Sequence, residues 1–108
     1  MNDLSIAIAK SIAKVNRTFY THYEDGSQVY QISAVSIIER MIRMLKPKSN
    51  ENILEIGTGS AYSTALLSNI VSEGGMITSI DIDIAVVVSA KMRSQYSKNK
   101  FNLAGCDR

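Results

Sequence analysis

Residues 52–63 read Asn52-Ile53-Leu54-Glu55-Ile56-Gly57-Thr58-Gly59-Ser60-Ala61-Tyr62-Ser63, a short apolar strand that runs into a glycine turn and then into a helix. Glycines in such a turn let the backbone approach a ligand closely, and the following helix N-terminus presents free N–H groups and the positive end of its dipole. A turn of this kind suits nucleotide-like cofactors. The acid two residues before the first glycine, Glu55, is what separates one cofactor from another.

Working outward, the helix runs from about Tyr62 to Val71 with Ala65, Leu66 and Ile70 on one side, and Ser72-Glu73-Gly74-Gly75 ends it. Met76–Ile80 is a second strand that closes on Asp81. Ile84, Val87, Val88, Lys91 and Met92, with Gln95, predict a helix to about Tyr96, and Phe101–Ala104 is a third strand. Strand–helix–strand–helix–strand with these connection lengths is the βαβαβ unit of an open parallel sheet with right-handed crossovers.

Upstream, Leu4, Ile8, Ile12 and Val15 recur at helical spacing, which predicts an amphipathic helix with its alanines, lysines and serines outward. From Asn16 to Gln31 the periodicity breaks around Glu24-Asp25-Gly26-Ser27, so a loop or short irregular arm is expected. Val35, Ile38, Met41, Ile42 and Leu45 signal a second helix, which should stop near Lys46 because Pro47 follows. Met41 and Met44 read as core packing. The fold class is therefore α/β: a Rossmann-like open parallel sheet of three strands preceded by two N-terminal helices. One domain over 1–108 is expected, a helical segment 1–50 joined to a βαβαβ half 51–108.

The bulk properties agree with a globular domain that has a real core: 108 residues, 45% hydrophobic. Twelve basic and ten acidic side chains are spread along the chain for a net charge of +2, without a basic face for nucleic acid. No apolar run approaches the roughly 18 residues of a membrane span, and residues 1–15 lack the features of a signal peptide. A cytoplasmic location is expected, in keeping with a lone cysteine, Cys106, that can form no internal disulfide. His22 is the only histidine, which rules out a Cys/His zinc site on count and leaves Cys106 no second histidine to activate it.

In a doubly wound sheet ligands bind at the carboxyl ends of the strands. Gly57 and Gly59 close the first strand there, with Thr58 and Ser60 beside them, and Asp81 ends the second strand 24 residues after Gly57. An ionised acid at that strand end can accept two hydrogen bonds from a ribose diol. A dinucleotide site needs a third glycine where this chain has Tyr62, and it has no use for a carboxylate at Glu55 beside a pyrophosphate. A cofactor without phosphate and with a cationic amino-acid end would welcome that carboxylate. S-adenosyl-L-methionine has both properties.

Leu54-Glu55-Ile56-Gly57-Thr58-Gly59-Ser60-Ala61-Tyr62, preceded by Gln31-Ile32-Ser33-Ala34 and a helix ending in Leu45-Lys46-Pro47, resembles the protein-L-isoaspartate O-methyltransferases, which have the class I methyltransferase fold. Val15-Asn16-Arg17-Thr18-Phe19 resembles an N-terminal segment of that family, and Asn102-Leu103-Ala104-Gly105 resembles its third strand. The resemblance implies methyl transfer from S-adenosyl-L-methionine to the free carboxylate of an isoaspartyl residue in a protein or peptide. It makes 1–50 the substrate-side segment and 51–108 the cofactor-binding half. It assigns cofactor contacts to Glu55, Gly57, Thr58, Gly59, Ser60 and Asp81, and the active-site role to Ser33. Ser33 is also a potential N-cap of the second helix, but Ser36-Ile37-Ile38-Glu39 matches a capping box and would leave Ser33 in the preceding loop.

The chain departs from the family at several positions. Val35 stands where a proline usually fixes the loop after the serine, and Ala61 replaces a frequent third glycine, a mild change in size. Gly105-Cys106-Asp107-Arg108 stands where the family has Gly-Asp-Gly, so Asp107 is the candidate for the adenine-facing acid, one position late. The family's sheet continues past the third strand. A product ending at Arg108 is therefore expected to carry its first strand as an open edge, and to be marginally stable, self-associating through that edge, or completed by another chain. The alternatives are a non-catalytic cofactor-binding or interaction module and, disfavoured by Tyr62 and Glu55, a dinucleotide-binding oxidoreductase half-domain.

Overall fold

Acidic and basic residues at opposite ends, Asp3 and Lys14, match the dipole of the first helix, α1 (Asp3–Lys14). A computed structural model describes residues 3–29, 33–72, 74–95 and 101–106. Ile8 is buried and Leu4 and Ile12 are partly buried, as the spacing predicts, and Val15 closes the same face. The serines of α1 do not all face outward. Ser11 is buried and its hydroxyl donates to the Leu66 carbonyl at 2.7 Å, which joins α1 to the helix after the glycine turn.

The stretch read as a loop or irregular arm contains a one-turn helix, α2 (Arg17–Thr21). Five residues are too few to show a period; the readable signal is Asn16, whose side chain caps the turn by accepting from the Phe19 N–H at 3.2 Å. Tyr20 is buried and anchors this turn. Beyond it, His22 and Gln28 pair as an antiparallel bridge around a turn at Asp25. There the Ser27 hydroxyl and N–H donate to the Asp25 carboxylate and hold it below its ordinary pKa range.

The second predicted helix is α3 (Val35–Leu45), and it begins before the Ser36 capping box could act. Its N-cap is Ala34, which has no side-chain bond to give, and Glu39 pairs along the helix with Arg43 at 3.0 Å instead of reaching back. Ser33 still lies outside the helix. Lys46, in the left-handed conformation at φ 54°, ends α3 ahead of Pro47. Ile38 and Ile42 are buried, but Met41 and Met44 are 63% and 75% exposed, so these methionines are not core residues.

The three strands are β1 (Asn52–Ile56), β2 (Met76–Asp81) and β3 (Asn102–Gly105), all parallel in the order β1-β2-β3. The third strand lies one residue later than its apolar run suggests. Glu55 pairs in register with Ser79, and Ile56 with Ile80. Between the strands run α4 (Tyr62–Val71) and α5 (Ile84–Ser94). α4 is buried almost all round, because α1 and α2 cover the side that the sheet does not. α5 buries Val86, Val87 and Ala90, whereas Ile84, Val88 and Met92, part of the pattern that predicts the helix, face outward. Its capping residue is Asp83, whose carboxylate accepts from the Ala85 N–H at 3.0 Å. The expected continuation of this helix to Tyr96 lies outside the described residues.

One core results, centred on Ile8, Tyr20, Leu66, Ile70 and Ile77, against the sheet face that carries Ile53 and Leu103. The opposite sheet face and the β1 edge carry Leu54 and Ile56, 60% and 79% exposed. A parallel strand is normally covered on both faces, and among the described residues this face of β1 is uncovered. Among the described residues, no helix is long and apolar enough to cross a membrane.

Candidate functional site

Gly57 leaves β1 at φ +91° and Gly59 follows at φ +53°, conformations that favour glycine, and a side chain built at Gly57 would meet nothing within 4 Å. The backbone at Gly57 is thus bare toward the end of the strand, where a ligand can approach. Ala61, the N-cap of α4, also has a left-handed backbone, at φ 72°. Its replacement of glycine is therefore a backbone cost of about 1–2 kcal/mol as well as a change of size.

The N–H groups of the turn are mostly engaged. Gly57 donates to the Ile80 carbonyl at 2.7 Å and Ala61 to the Thr58 carbonyl at 3.0 Å. Tyr62 donates to the Ser60 hydroxyl at 3.3 Å, and Gly59 to Asp81 Oδ2 at 3.4 Å. These four N–H groups are turned toward the protein's own acceptors, which reduces the donors open to a ligand at the turn. Tyr62 is buried at the first turn of α4, its ring beneath the Arg17 guanidinium at 4.9 Å, so the third glycine of a dinucleotide turn has no counterpart here.

Beneath the turn lies a network that the sequence reading did not anticipate. Glu55 accepts hydroxyl hydrogen bonds from Ser63 at 2.7 Å, from Ser79 at 2.7 Å and from Thr64. Ser79 and Thr58, both buried, share a further bond of 2.8 Å. A carboxylate has about four acceptor positions, so three donors leave one free. The signal for this network was a polar residue on the covered face of an inner strand, Ser79, in register with an acid on its neighbour.

Asp81 ends β2 as expected, half-buried, with Oδ1 accepting from the Asp83 N–H at 3.0 Å and Oδ2 from Gly59. On the far side of the turn, Arg93 of α5 donates to the Ser60 carbonyl at 3.3 Å and to the Ser89 hydroxyl at 2.6 Å. Burial pulls its guanidinium below the ordinary arginine pKa, and Tyr23 beside it works in the opposite direction.

A cleft of about 590 Å³ opens between α3, the β1 edge and the glycine turn. Ser33, Glu55, Gly57, Thr58, Gly59 and Ser60 all line it, so six of the eight candidate site residues meet in one place. Asp81 is not in its wall and adjoins it through Gly59. Asp107 lies outside the described residues. The exposed methionines Met41 and Met44 line the cleft as well. A carboxylate with acceptor capacity left in the cleft wall suits a cationic group and not an anionic one.

The family model described as protein-L-isoaspartate(D-aspartate) O-methyltransferase (PCMT) matches residues 5–104. Among curated proteins, the chain is 28% identical over 85 residues to a protein-L-isoaspartate O-methyltransferase of Aeropyrum pernix, covering 68% of this chain and 33% of the relative. It is 31% identical over 101 residues to that of Fervidobacterium nodosum, covering 83% and 51%. Among solved structures, a protein-L-isoaspartate O-methyltransferase superposes with a TM-score of 0.82 at 21% identity, covering 96% of this chain and 38% of that one. A Plasmodium falciparum structure, described as a putative protein-L-isoaspartate O-methyltransferase in complex with S-adenosyl-L-homocysteine, gives 0.75 at 15%, covering 95% and 55%. The chain therefore spans about a third to a half of the length of these curated relatives, and the structural matches show a shared fold.

Proposed function

The chain belongs to the protein-L-isoaspartate(D-aspartate) O-methyltransferase family, and from that premise we propose that its cleft binds S-adenosyl-L-methionine for methyl transfer to an isoaspartyl carboxylate of a protein or peptide. The observation that carries this reading is Glu55, an acid with spare acceptor capacity in the cleft wall beneath the glycine turn, where a phosphate would meet its negative charge. A cofactor with a cationic amino-acid end and no phosphate fits these groups. The Plasmodium structure carries the demethylated form of the same cofactor on this fold.

The residues divide the work by position. Glu55 would hold the ammonium group, and Gly57, Thr58, Gly59 and Ser60 would form the backbone wall against which the cofactor lies. Asp81 would take the ribose diol, and Asp107 the adenine. S-adenosyl-L-methionine, when bound, supplies an electrophilic methyl group on its sulfonium. A carboxylate acceptor is ionised near neutral pH and needs no general base, so the protein's task is placement and exclusion of water. Ser33 donates its hydroxyl to that carboxylate and orients it. Residues 1–50 then form the substrate side and 51–108 the cofactor half.

The bare β1 edge and the exposed Leu54 and Ile56 support a further part of the reading, that the sheet is completed by more polypeptide, by another chain or by self-association. The cytoplasm is the compartment proposed for this work. Methyl-ester formation on a synthetic isoaspartyl peptide tests the activity, using the chain alone and the chain joined to the C-terminal portion of a family member. Transfer is expected from the joined protein, and Ser33→Ala should lower it by about tenfold or more, the effect of losing one hydrogen bond to a charged group. No transfer by the joined protein, or full transfer by Ser33→Ala, contradicts the reading.

A further inference from the structure

Ser33 needs a fixed position to act, and the proline that fixes its loop in the family is Val35 here. A different restraint is visible. Arg17 Nη2 donates to the Ser33 carbonyl at 2.9 Å, across 16 residues of chain, while the same guanidinium lies over the Tyr62 ring at 4.9 Å. One planar group thus touches both the serine loop and the first residue of the helix that follows the glycine turn. Its base is rigid: Arg17 opens α2, which Asn16 caps and buried Tyr20 anchors, with the Tyr20 ring 6.5 Å from that of Tyr62.

The arrangement is not what stability alone would select. Arg17 Nη1 is buried without a hydrogen-bond partner among the described residues, and an unpaired buried donor is a cost. An apolar side chain of similar length would cover Tyr62 without it. Arg17 also lines the cleft that Ser33 and Glu55 share. We infer that Arg17 is a positioning residue, a clamp that sets Ser33 at a fixed place relative to the cofactor turn. Making the two contacts at once needs a guanidinium, because a lysine ammonium cannot stack flat on a ring and reach a carbonyl from the same plane.

This inference rests on the methyltransferase reading for its functional meaning, and two measurements on the whole chain keep the two apart. The first is amide hydrogen exchange at Ile37 and Ile38, whose N–H groups donate to the Ala34 carbonyl next to Ser33, at 3.1 Å each. In Arg17→Met these amides should exchange about tenfold faster or more, with the β2 amides unchanged, and Arg17→Lys should not restore them. The second is titration with S-adenosyl-L-homocysteine and then with a synthetic isoaspartyl peptide. Arg17→Met should weaken peptide binding about tenfold, and by more than it weakens S-adenosyl-L-homocysteine binding. Normal exchange at Ile37 and Ile38 in Arg17→Met overturns the clamp, as does restoration by Arg17→Lys. Loss of β2 protection in both variants also overturns it, since Arg17 would then be a folding residue. If the unmodified chain binds no S-adenosyl-L-homocysteine, the methyltransferase reading fails by itself and the exchange measurement still decides the clamp.

Discussion

Glu55→Ala is expected to lower stability by about 2–3 kcal/mol and, on the proposed reading of the cleft, to abolish cofactor binding, because that reading gives one carboxylate both purposes. The Ser63, Thr64 and Ser79 hydroxyls all donate to it, and none of the three is exposed. Without it Ser79 keeps only Thr58, while Ser63 and Thr64 must find other partners or remain unpaired, and the side-chain link from the sheet to α4 is lost. Glu55→Gln separates the two roles. Its amide keeps the shape and one acceptor oxygen while the hydroxyls can rotate to meet the new donor, so stability should fall by less than about 1.5 kcal/mol. The charge is gone, and affinity for a cofactor with an ammonium group should drop by about tenfold or more. Thermal denaturation and calorimetric titration of the same two variants give both numbers.

Leu66→Ala should cost about 3 kcal/mol, the middle of the range for a buried leucine. Leu66 is 1% exposed at the centre of the only core found among the described residues, and its carbonyl is the acceptor that ties Ser11 of α1 to α4. A domain of this size has about 5–15 kcal/mol in total, so this one substitution removes a large share of it. A midpoint lower by about 15 °C in a thermal melt followed by circular dichroism is the expected result, with partial unfolding at physiological temperature. A shift of only a degree or two would mean that α4 is not the centre of the fold.

The parts of this structure that were legible in the sequence are those with a local cause. β1 and β2 are apolar runs bounded by glycine, and Pro47 marks the end of α3. The glycine turn, Glu55 and Asp81 stand at fixed offsets from one another, so the turn could be read with its cofactor. What was not legible depends on what lies opposite a residue. Periodicity groups Met41 with Ile38 and Ile42, but it cannot say that nothing covers the outer edge of that face. The same is true of Ile84, Val88 and Met92 on α5. The Ser36–Glu39 pattern is a sound cap signal that lost to a helix beginning at Val35, two residues before the Ile37 start that a Ser36 cap would set, with Glu39 drawn to Arg43.

Long-range polar contacts were the other omission. Ser79 and Thr64 are ordinary small residues in the sequence, and only the parallel register and the return of α4 bring them to Glu55. Arg17 stood in a segment recognisable by its resemblance, with no local feature to tell that it reaches Ser33 and Tyr62. Six of the eight candidate residues line one cleft although they come from separate parts of the chain.

The choice of cofactor is the central claim, and calorimetric titration of the unmodified chain with S-adenosyl-L-homocysteine, alongside a nicotinamide dinucleotide, tests it most directly. Saturable binding of S-adenosyl-L-homocysteine, with none of the dinucleotide, is the predicted result. Binding of the dinucleotide without S-adenosyl-L-homocysteine would contradict it.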